Sequence, residues 1–253
     1  MATKIVSTGR GGAGKSTFVS LISRYLNSPM LLIDLDPDQS LPDMVGADLE
    51  KEKVSTVSAA LNNILEERKS NASLAATPLP EKMEYVLQAE CLYEDKNFDL
   101  ITLGTKLTRG CYCAPDDILK MNIPRLAEKY STVIIDSPAG LEHLNRKVFS
   151  SIDDLFILLD PSSKSIKHIG RVEAITRAIG IKYNHLYLIG NYRFDESLEK
   201  KFSGTGGVYL GKIEKDDNVE KYNIDRKPLL DLPEDSPACI SVRKILKKAG
   251  YLK

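Results

Sequence analysis

A glycine-rich segment near the start of the chain constrains its fold more than any other feature. Residues 9–17 read Gly-Arg-Gly-Gly-Ala-Gly-Lys-Ser-Thr and satisfy the pattern G-x-x-x-x-G-K-[ST]. A predicted strand at Lys4–Ser7 precedes this segment, and a predicted helix at Ser16–Leu26 follows it. Glycines at such a turn let successive backbone N–H groups surround phosphate oxygens, and the start of the helix adds partial positive charge. The segment therefore predicts a loop that binds the phosphates of a nucleoside triphosphate.

The residues of this phosphate loop have separate predicted tasks. Lys15 is expected to reach the β- and γ-phosphates, where it would act in catalysis, and the Ser16 hydroxyl is expected to bind Mg²⁺. The predicted phosphate-contacting set comprises Gly11, Gly12, Ala13, Gly14, Lys15, Ser16 and Thr17.

A dinucleotide site is the main alternative for the same glycines. Gly9, Gly11 and Gly14 also satisfy G-x-G-x-x-G, and Asp34 follows at the distance of a ribose-binding acid. A dinucleotide loop has no need of the Lys-Ser-Thr that ends this segment. A second acid at Asp36 and a later strand that ends in an acid also favour the triphosphate.

Short β-branched runs alternate with helical patterns along the rest of the chain. Further strands are predicted at Met30–Asp34, Asp99–Gly104, Thr132–Asp136, Asp154–Leu159, Leu186–Gly190 and Val208–Ile213. Further helices are predicted at Pro115–Lys129, Ser163–Ile179 and Asp235–Lys248. This alternation predicts an α/β fold with a mostly parallel sheet and helices on both faces. With no repeat or low-complexity linker in sight, we expect one domain over residues 1–253, with 45–95 as its least defined part.

Composition excludes several classes of protein. The 253 residues include 35 Lys plus Arg and 35 Asp plus Glu, so a zero net charge gives no support to binding of nucleic acid or of an anionic membrane. The longest apolar runs, such as Leu155–Leu159, are far below the roughly 20 residues that a membrane span requires. The first residues show no secretory signal, and four cysteines do not form a secreted disulfide pattern. We therefore expect a cytoplasmic protein without stable membrane insertion.

The phosphate loop also resembles the deviant Walker A loop of the MinD/ParA/nitrogenase iron protein superfamily, which reads K-G-G-x-G-K-[ST]-[ST]. Arg10 stands where that superfamily has a signature lysine, which reaches across a dimer to the partner's nucleotide. The resemblance implies an ATPase that forms a homodimer and a catalytic Arg10 that acts in trans. Arginine keeps the positive charge and adds a planar fork of donors. A solvent-facing Arg10 is the simpler alternative.

The resemblance assigns nucleotide-site roles to residues that follow other strands. Asp36 matches an acid that positions or activates the attacking water, and Asp34 would support the Mg²⁺ shell or the loop. Asp136 would hold a water bound to Mg²⁺. Asn191 matches an asparagine whose amide reads the adenine edge, and Arg193 is placed beside it in the nucleotide site. The simpler alternatives are a helix cap for Asp36, a strand-ending turn at Asp136 and a turn residue for Asn191.

Two cysteines one residue apart, Cys111 and Cys113, suggest a metal site. A structural tetrahedral site needs four ligands, and the other cysteines, Cys91 and Cys239, are isolated in the sequence. Two chains that each supply one Cys-x-Cys would complete the set around Zn²⁺ or Ni²⁺ on a twofold axis. Two buried thiols or a redox pair are the alternatives.

The segments Gly110–Pro115 and Ala139–Leu144, which read Gly-Cys-Tyr-Cys-Ala-Pro and Ala-Gly-Leu-Glu-His-Leu, resemble the CooC family. That family comprises ATPases that assist nickel incorporation into carbon monoxide dehydrogenase, with relatives that serve acetyl-CoA synthase. The resemblance implies one of these enzymes as the client.

Other members of the superfamily are the alternatives. A positioning ATPase of the MinD or ParA type would need a membrane-binding tail or a basic DNA-binding surface, and the basic amphipathic stretch Val242–Lys248 keeps the first open. An electron-transfer ATPase would need a cysteine after Asp136, and residues 137–150 contain none. A binding module without catalysis is disfavoured by the combination of Lys15, Asp36 and Asp136.

Overall fold

The structure is a computed structural model that describes residues 2–70, 79–105, 113–138, 149–202 and 204–253. Within these ranges eight strands form one sheet. In chain order they are β1 (Thr3–Gly9), β2 (Met30–Asp34), β3 (Leu92–Glu94), β4 (Asp99–Thr102), β5 (Thr132–Asp136), β6 (Ser151–Leu159), β7 (Lys182–Gly190) and β8 (Val208–Lys212). The α-helices of the described ranges are α1 (Lys15–Ser23), α2 (Ser40–Val45), α3 (Val57–Ser70), α4 (Leu79–Ala89), α5 (Cys113–Ala127), α6 (Ser163–Ile179), α7 (Asp217–Ile224) and α8 (Pro237–Lys248). Two short 3₁₀ helices lie at Glu196–Phe202 and Leu229–Asp231.

The strands lie in the order β3-β4-β2-β5-β1-β6-β7-β8. Every neighbouring pair is parallel except β3 and β4, which are antiparallel. The predicted mostly parallel α/β sheet is confirmed.

Burial on both faces explains why the inner strands are continuously apolar. All residues of β2 and β5 are buried. Leu31 and Ile33 of β2 pack with the buried side chains of α3, α4, α5 and α6, whereas Met30 and Leu32 pack with those of α1, α2 and α8. Side chains of a strand alternate between the faces, so a strand covered on both sides needs apolar residues at nearly every position.

Local sequence sets the ends of the helices beside the sheet. Ser162 begins α6, because its side chain accepts the backbone N–H of Ser165, and Gly180 ends it with a left-handed φ of 68°. Helix α1 begins at Lys15, within the phosphate-loop segment and directly after Gly14, which has a φ of 94°. No helix within the described ranges combines the length and apolar character that crossing a membrane would require.

The two outer strands of the sheet are short or irregular. Strand β3 has three residues and runs against its neighbour. The pairing of β8 with β7 shifts register between Leu188 and Ile189, and Gly211 in β8 has a φ of 130°. The Lys248 ammonium of α8 also donates a hydrogen bond of 2.7 Å to the Leu210 carbonyl of β8.

The topology places the phosphate loop at the centre of the molecule. Strand β1 lies between β5 and β6, and the loop leaves its carboxyl end. The chain builds the sheet to one side of β1 as far as β5 and then continues on the other side with β6. Open parallel sheets bind their ligands outside the carboxyl ends of the strands at such a switch point.

Candidate nucleotide site

The phosphate loop adopts a conformation that requires glycine at two positions. Gly9 has a φ of 153°, and a Cβ atom there would lie 2.7 Å from the Leu158 carbonyl oxygen. Gly14 occupies the left-handed position that starts α1, and no side chain of the described residues caps this helix. The first N–H groups of α1 are therefore available to an anion. The Lys15 side chain is buried under the loop, and its Nζ atom lies 3.4 Å from the Arg10 carbonyl oxygen.

The loop forms one end of a cavity of about 790 Å³. All seven residues predicted to contact phosphate, Gly11 to Thr17, line this cavity, so the structure brings the whole set together. Asp36 lies on the cavity wall. Asn191 and Arg193 line the cavity with the Ile213–Asp216 segment and helix α7. The cavity thus joins the phosphate loop to the segment predicted to read the base.

Two buried carboxylates lie side by side next to the loop. Asp34 and Asp136 are register partners at the ends of β2 and β5, and neither side chain reaches solvent. Asp34 accepts the backbone N–H groups of Asp36 at 2.9 Å and Leu41 at 3.3 Å. Neither carboxylate oxygen of Asp136 has a hydrogen-bond partner among the described residues.

Burial changes the protonation of both groups. It raises the pKa of Asp34 well above its ordinary value, and the charge of Asp136 adds to the shift. Burial also raises the pKa of Asp136 to about 7, although the Ser16 hydroxyl and the Lys15 charge act in the opposite direction. Two adjacent buried carboxylates are thus costly in their charged form, and the oxygens of Asp136 lack a close hydrogen-bond donor within the described residues.

The oxygens around Asp136 fit a magnesium ion. Mg²⁺ prefers carboxylate, hydroxyl, phosphate and water oxygens, and it commonly uses one or two protein ligands beside those of the phosphates. The Asp136 carboxylate is unpartnered within the described part of the chain, and the Ser16 hydroxyl is near enough to lower its pKa. A cation here would also offset the charge that burial disfavours.

Asp36 forms a local turn and leaves its carboxylate at the cavity. Its Oδ1 atom accepts the backbone N–H of Asp38 at 3.1 Å. Helix α2 begins later, at Ser40, after Gln39 as its cap. Asp36 therefore does not cap a helix, and the simpler of its two sequence interpretations is wrong.

Arg10 is bound within its own chain. Its guanidinium donates at 2.8 Å to the Asp160 carboxylate and at 2.8 Å to the Ser162 hydroxyl, and its side chain is 37% exposed. Partial burial alone would raise the pKa of Asp160, but the Ser162 hydrogen bonds and the Arg10 charge outweigh it and lower that pKa. Arg10 is thus a partner of the segment that follows β6 and not simply a solvent-facing side chain.

Several polar groups of this region were not among the sequence-based predictions. Buried side-chain oxygen atoms without a partner among the described residues belong to Ser7, Thr8, Thr102 and Ser137. Thr102, Asp34, Asp136 and Ser7 lie in register on β4, β2, β5 and β1 and form one polar row. The sequence did contain a signal for these residues, because they are polar residues at the carboxyl ends of otherwise apolar strands. Apolar packing does not favour a buried hydroxyl at such a position, so it indicates a polar role.

His168 of α6 was also missed. It is buried, and its Nε2 atom has no partner within the described ranges. Burial lowers its pKa, and so do the charges of Arg171, Arg10 and Lys15. These effects all favour the neutral form of His168.

The far end of the cavity is arranged around Asn191, which is buried at the end of β7. Its Oδ1 atom accepts the Arg193 backbone N–H at 3.1 Å, which leaves the Nδ2 atom as the donor for a ligand. The Arg193 guanidinium lies over the Tyr192 ring, 5.2 Å from its centre. Asn191 therefore forms a turn and also faces the cavity, so its two sequence interpretations are compatible.

The structure leaves the predicted cysteine site open. Cys111 lies outside the described residues, and Cys113 begins α5, with its side chain outside the description. Cys91 and Cys239 are buried free thiols. Across the described ranges, no group of three or more His, Cys, Asp or Glu side chains is arranged to hold a metal. The shared Zn²⁺ or Ni²⁺ site thus stays a prediction.

Known proteins resemble this chain along most of its length. A family model described as AAA domain (AAA_31) matches residues 2–186. An uncharacterized ATP-binding protein of Methanocaldococcus jannaschii is 28% identical over 252 residues, which cover 96% of this chain and 97% of that protein. The carbon monoxide dehydrogenase accessory protein CooC of Rhodospirillum rubrum is 29% identical over 188 residues, or 71% of each chain. Among solved structures, the septum site-determining protein MinD from Pyrococcus horikoshii, complexed with Mg-ADP, matches with a TM-score of 0.69 and 17% identity over 98% of this chain and 96% of that one.

Proposed function

We propose that this chain, which belongs to the AAA domain family of P-loop ATPases within the MinD/ParA superfamily, works as a nickel-maturation ATPase. It hydrolyses ATP, and in our proposal it does so with Mg²⁺ as a homodimer in the cytoplasm. Its client would be carbon monoxide dehydrogenase or acetyl-CoA synthase. The main support for nucleotide hydrolysis is a single cavity that is lined by the phosphate loop, the acid Asp36 and the Asn191 segment. Support for the client comes from the similarity to CooC and from the Cys-x-Cys sequence. We treat residues 1–253 as one ATPase domain.

The proposed chemistry follows from the positions of the side chains. Lys15 and the N–H groups at the start of α1 would bind the β- and γ-phosphates, where negative charge increases as the terminal phosphate is transferred. Ser16 and Asp136 would hold Mg²⁺, which neutralises phosphate charge when bound. Asp36, on the cavity wall, would orient a water for attack in line with the leaving oxygen. Asp34 would keep the Asp36 backbone in place through the hydrogen bond that it accepts.

Arg10 must change partners if it acts on the nucleotide of a second copy. In the single chain it is held by Asp160 and Ser162. An arginine placed in trans would stabilise charge on the transferred phosphate, and the energy for the exchange must come from contacts made only in the nucleotide-bound dimer. The ion pair with Asp160 therefore opposes dimer formation in this proposal.

The Asp160→Asn substitution tests this exchange. We expect it to raise the dimer association constant with Mg-ATP about two- to fivefold, because a partly exposed ion pair contributes up to about 1 kcal/mol. Analytical ultracentrifugation at several protein concentrations measures the change. An Arg10→Ala control should abolish the effect of Asp160→Asn in the double variant. Equal gains with and without Arg10 would contradict the trans role.

Metal stoichiometry tests the nickel-maturation proposal. We expect one Zn²⁺ or Ni²⁺ per two chains in the wild type and none after joint Cys111→Ala and Cys113→Ala substitution, because each chain supplies only two of four thiolates. Elemental analysis combined with solution mass, with ADP and with ATP, gives the result. The matched control replaces the buried thiols Cys91 and Cys239 by alanine and should keep the metal. Metal that survives loss of Cys111 and Cys113 would remove the basis of the nickel proposal.

A positioning ATPase of the MinD or ParA type is the second candidate, since fold similarity to MinD fits it equally well. The structure bears on one version of it. The apolar side of α8, with Val242 and Ile245 buried, packs into the same core as α1 and is not free for a membrane. Binding to anionic liposomes or to DNA, measured with ATP and Mg²⁺, would favour this candidate.

A further inference from the structure

One buried carboxylate joins two helices at the end of the cavity where the base is proposed to bind. Asp216 is 9% exposed. Its Oδ1 atom accepts the Asn218 backbone N–H at 2.9 Å, which caps the start of α7. Its Oδ2 atom accepts the Ala238 backbone N–H at 3.1 Å, in the first turn of α8, and also the Ser236 hydroxyl. A single side chain thus satisfies donors at the start of both helices.

The segment before Asp216 is held at two further points. The Ile213 backbone N–H donates at 2.9 Å to the Gly190 carbonyl, directly before Asn191. The Glu214 backbone N–H donates at 3.1 Å to the Ser241 hydroxyl of α8. Residues Ile213–Asp216 therefore form a loop fixed to the end of β7 on one side and to the first turns of α8 on the other. All four of its residues line the cavity.

Helix α8 is in turn fixed to the helix that starts at the phosphate loop. Buried side chains of α1 and α8 share one apolar core. Arg24, directly after α1, forms an ion pair with Glu234, two residues before the cap of α8, and its guanidinium donates to the Leu232 carbonyl. Packing therefore sets the position of α8 relative to the phosphate loop. The hydrogen bonds of Asp216 to the start of α8 in turn fix the Ile213–Asp216 loop relative to that helix.

We propose that Asp216 is a positioning residue for the nucleoside part of the substrate, acting through the Ile213–Asp216 loop. This inference rests on the proposed nucleotide site. The loop can contact a base only if it keeps its distance from the phosphate loop. Asp216 sets this distance together with the Glu214–Ser241 hydrogen bond, and it is the member of the loop that accepts donors at the start of both helices. A carboxylate is required because its two oxygens accept from three donors, whereas an asparagine amide would turn an NH₂ group toward one of the helix starts. Asp216 affects affinity for the nucleoside, whereas the phosphate loop and the Mg²⁺ site bind the triphosphate.

The Asp216→Asn substitution tests this role with two ligands, Mg-ATP and inorganic tripolyphosphate with Mg²⁺. We expect the Kd for ATP to rise about tenfold and the Kd for tripolyphosphate to change less than twofold. In steady state, KM for ATP should rise with little change in kcat, since the reacting phosphate is held elsewhere. Calorimetry of each ligand and ATPase kinetics measure both effects.

Two further variants keep the test decisive. Asp225→Asn is the matched control, because it removes the same charge at the other end of α7, where the carboxylate pairs with Lys227 away from the cavity lining. It should leave both Kd values unchanged. Ser236→Ala removes one donor to Asp216 and should raise the Kd for ATP about threefold, which provides the answer if Asp216→Asn does not fold.

The outcomes separate the two levels of the proposal. Unchanged ATP binding in a folded Asp216→Asn protein, or in Ser236→Ala, would overturn the positioning role. Parallel loss of ATP and tripolyphosphate would do the same, since it would show a general effect on the site. A wild-type protein that binds neither ligand would instead overturn the proposed nucleotide site itself.

Discussion

The Asp136→Asn protein is expected to be more stable than the wild type at pH 8 and inactive as an ATPase. Asp136 is fully buried and its oxygens make no close hydrogen bond among the described residues, although the Ser16 hydroxyl favours its charged form. The amide analogue avoids a buried charge and keeps an oxygen that can accept from Ser16. We expect a gain of about 1–2 kcal/mol in the free energy of unfolding without nucleotide, below the limit of about 4 kcal/mol that the pKa change sets. Hydrolysis should fall at least about 100-fold because the proposed Mg²⁺ site loses its carboxylate.

The dependence of this gain on pH has a definite sign. The pKa of Asp136 is about 7 in the folded protein, against an ordinary value of 3.8. Between these values the folded chain holds a proton that the unfolded chain has released. The wild type therefore loses stability as the pH rises through this window. The difference between Asp136→Asn and wild type should be small at pH 4, grow up to about pH 7 and stay constant above it. Urea unfolding at a series of pH values measures it.

Asp34→Asn is the matched comparison for this prediction. Asp34 is equally buried on the neighbouring strand, but its two oxygens each accept a backbone N–H. An amide can accept only with its oxygen, so the NH₂ group of the asparagine would face one of the two backbone N–H groups, of Asp36 or Leu41. We expect the free energy of unfolding to fall by about 1–3 kcal/mol. Loss of stability in both variants would contradict the view that Asp136 is the uncompensated member of the pair.

The Asp36→Asn substitution should separate hydrolysis from binding. We expect kcat to fall about 100-fold or more, because an amide orients and activates the attacking water poorly, while the Kd for ATP changes less than about threefold. Single-turnover hydrolysis and equilibrium binding give the two values. Asp38→Asn serves as control, since Asp38 lines the same cavity and donates its backbone N–H to Asp36. Equal losses of binding and hydrolysis would remove the water-positioning role from Asp36.

The elements that the sequence predicts most accurately are those with a regular pattern of buried apolar residues and a clear residue at each end. Strands β2 and β5 are predicted to the residue, because both are fully buried and end in an acid. Helix α6 is also predicted to the residue, with Ser162 and Gly180 as its ends. Strand β6 begins earlier than the sequence indicates. The three missed residues, 151–153, include the polar Asp153, whose carboxylate accepts hydrogen bonds from the Lys4 backbone N–H of β1 and the Asn184 side chain of β7.

Elements that depend on tertiary contacts are not visible in the sequence. Helix α7 has no buried residue and so no apolar period, and its start depends on the cap from Asp216. Strand β3 has three residues and needs β4 as its template. The same limit applies to the site. Motifs indicated the phosphate loop and the acids, but only the fold shows that Arg10 is paired with Asp160, since 150 residues separate them.

The outer strands of the sheet restrict how two copies can associate. Joining two sheets edge to edge requires a row of free, regularly spaced backbone groups on an outer strand. At one border β3 offers only three residues. At the other, the Leu210 carbonyl is already occupied by Lys248, and the left-handed backbone of Gly211 interrupts the row. A continuous intermolecular sheet is therefore disfavoured, as is its polymerisation into fibres. A pair of these molecules would keep two separate sheets and could part again without breaking any strand pairing.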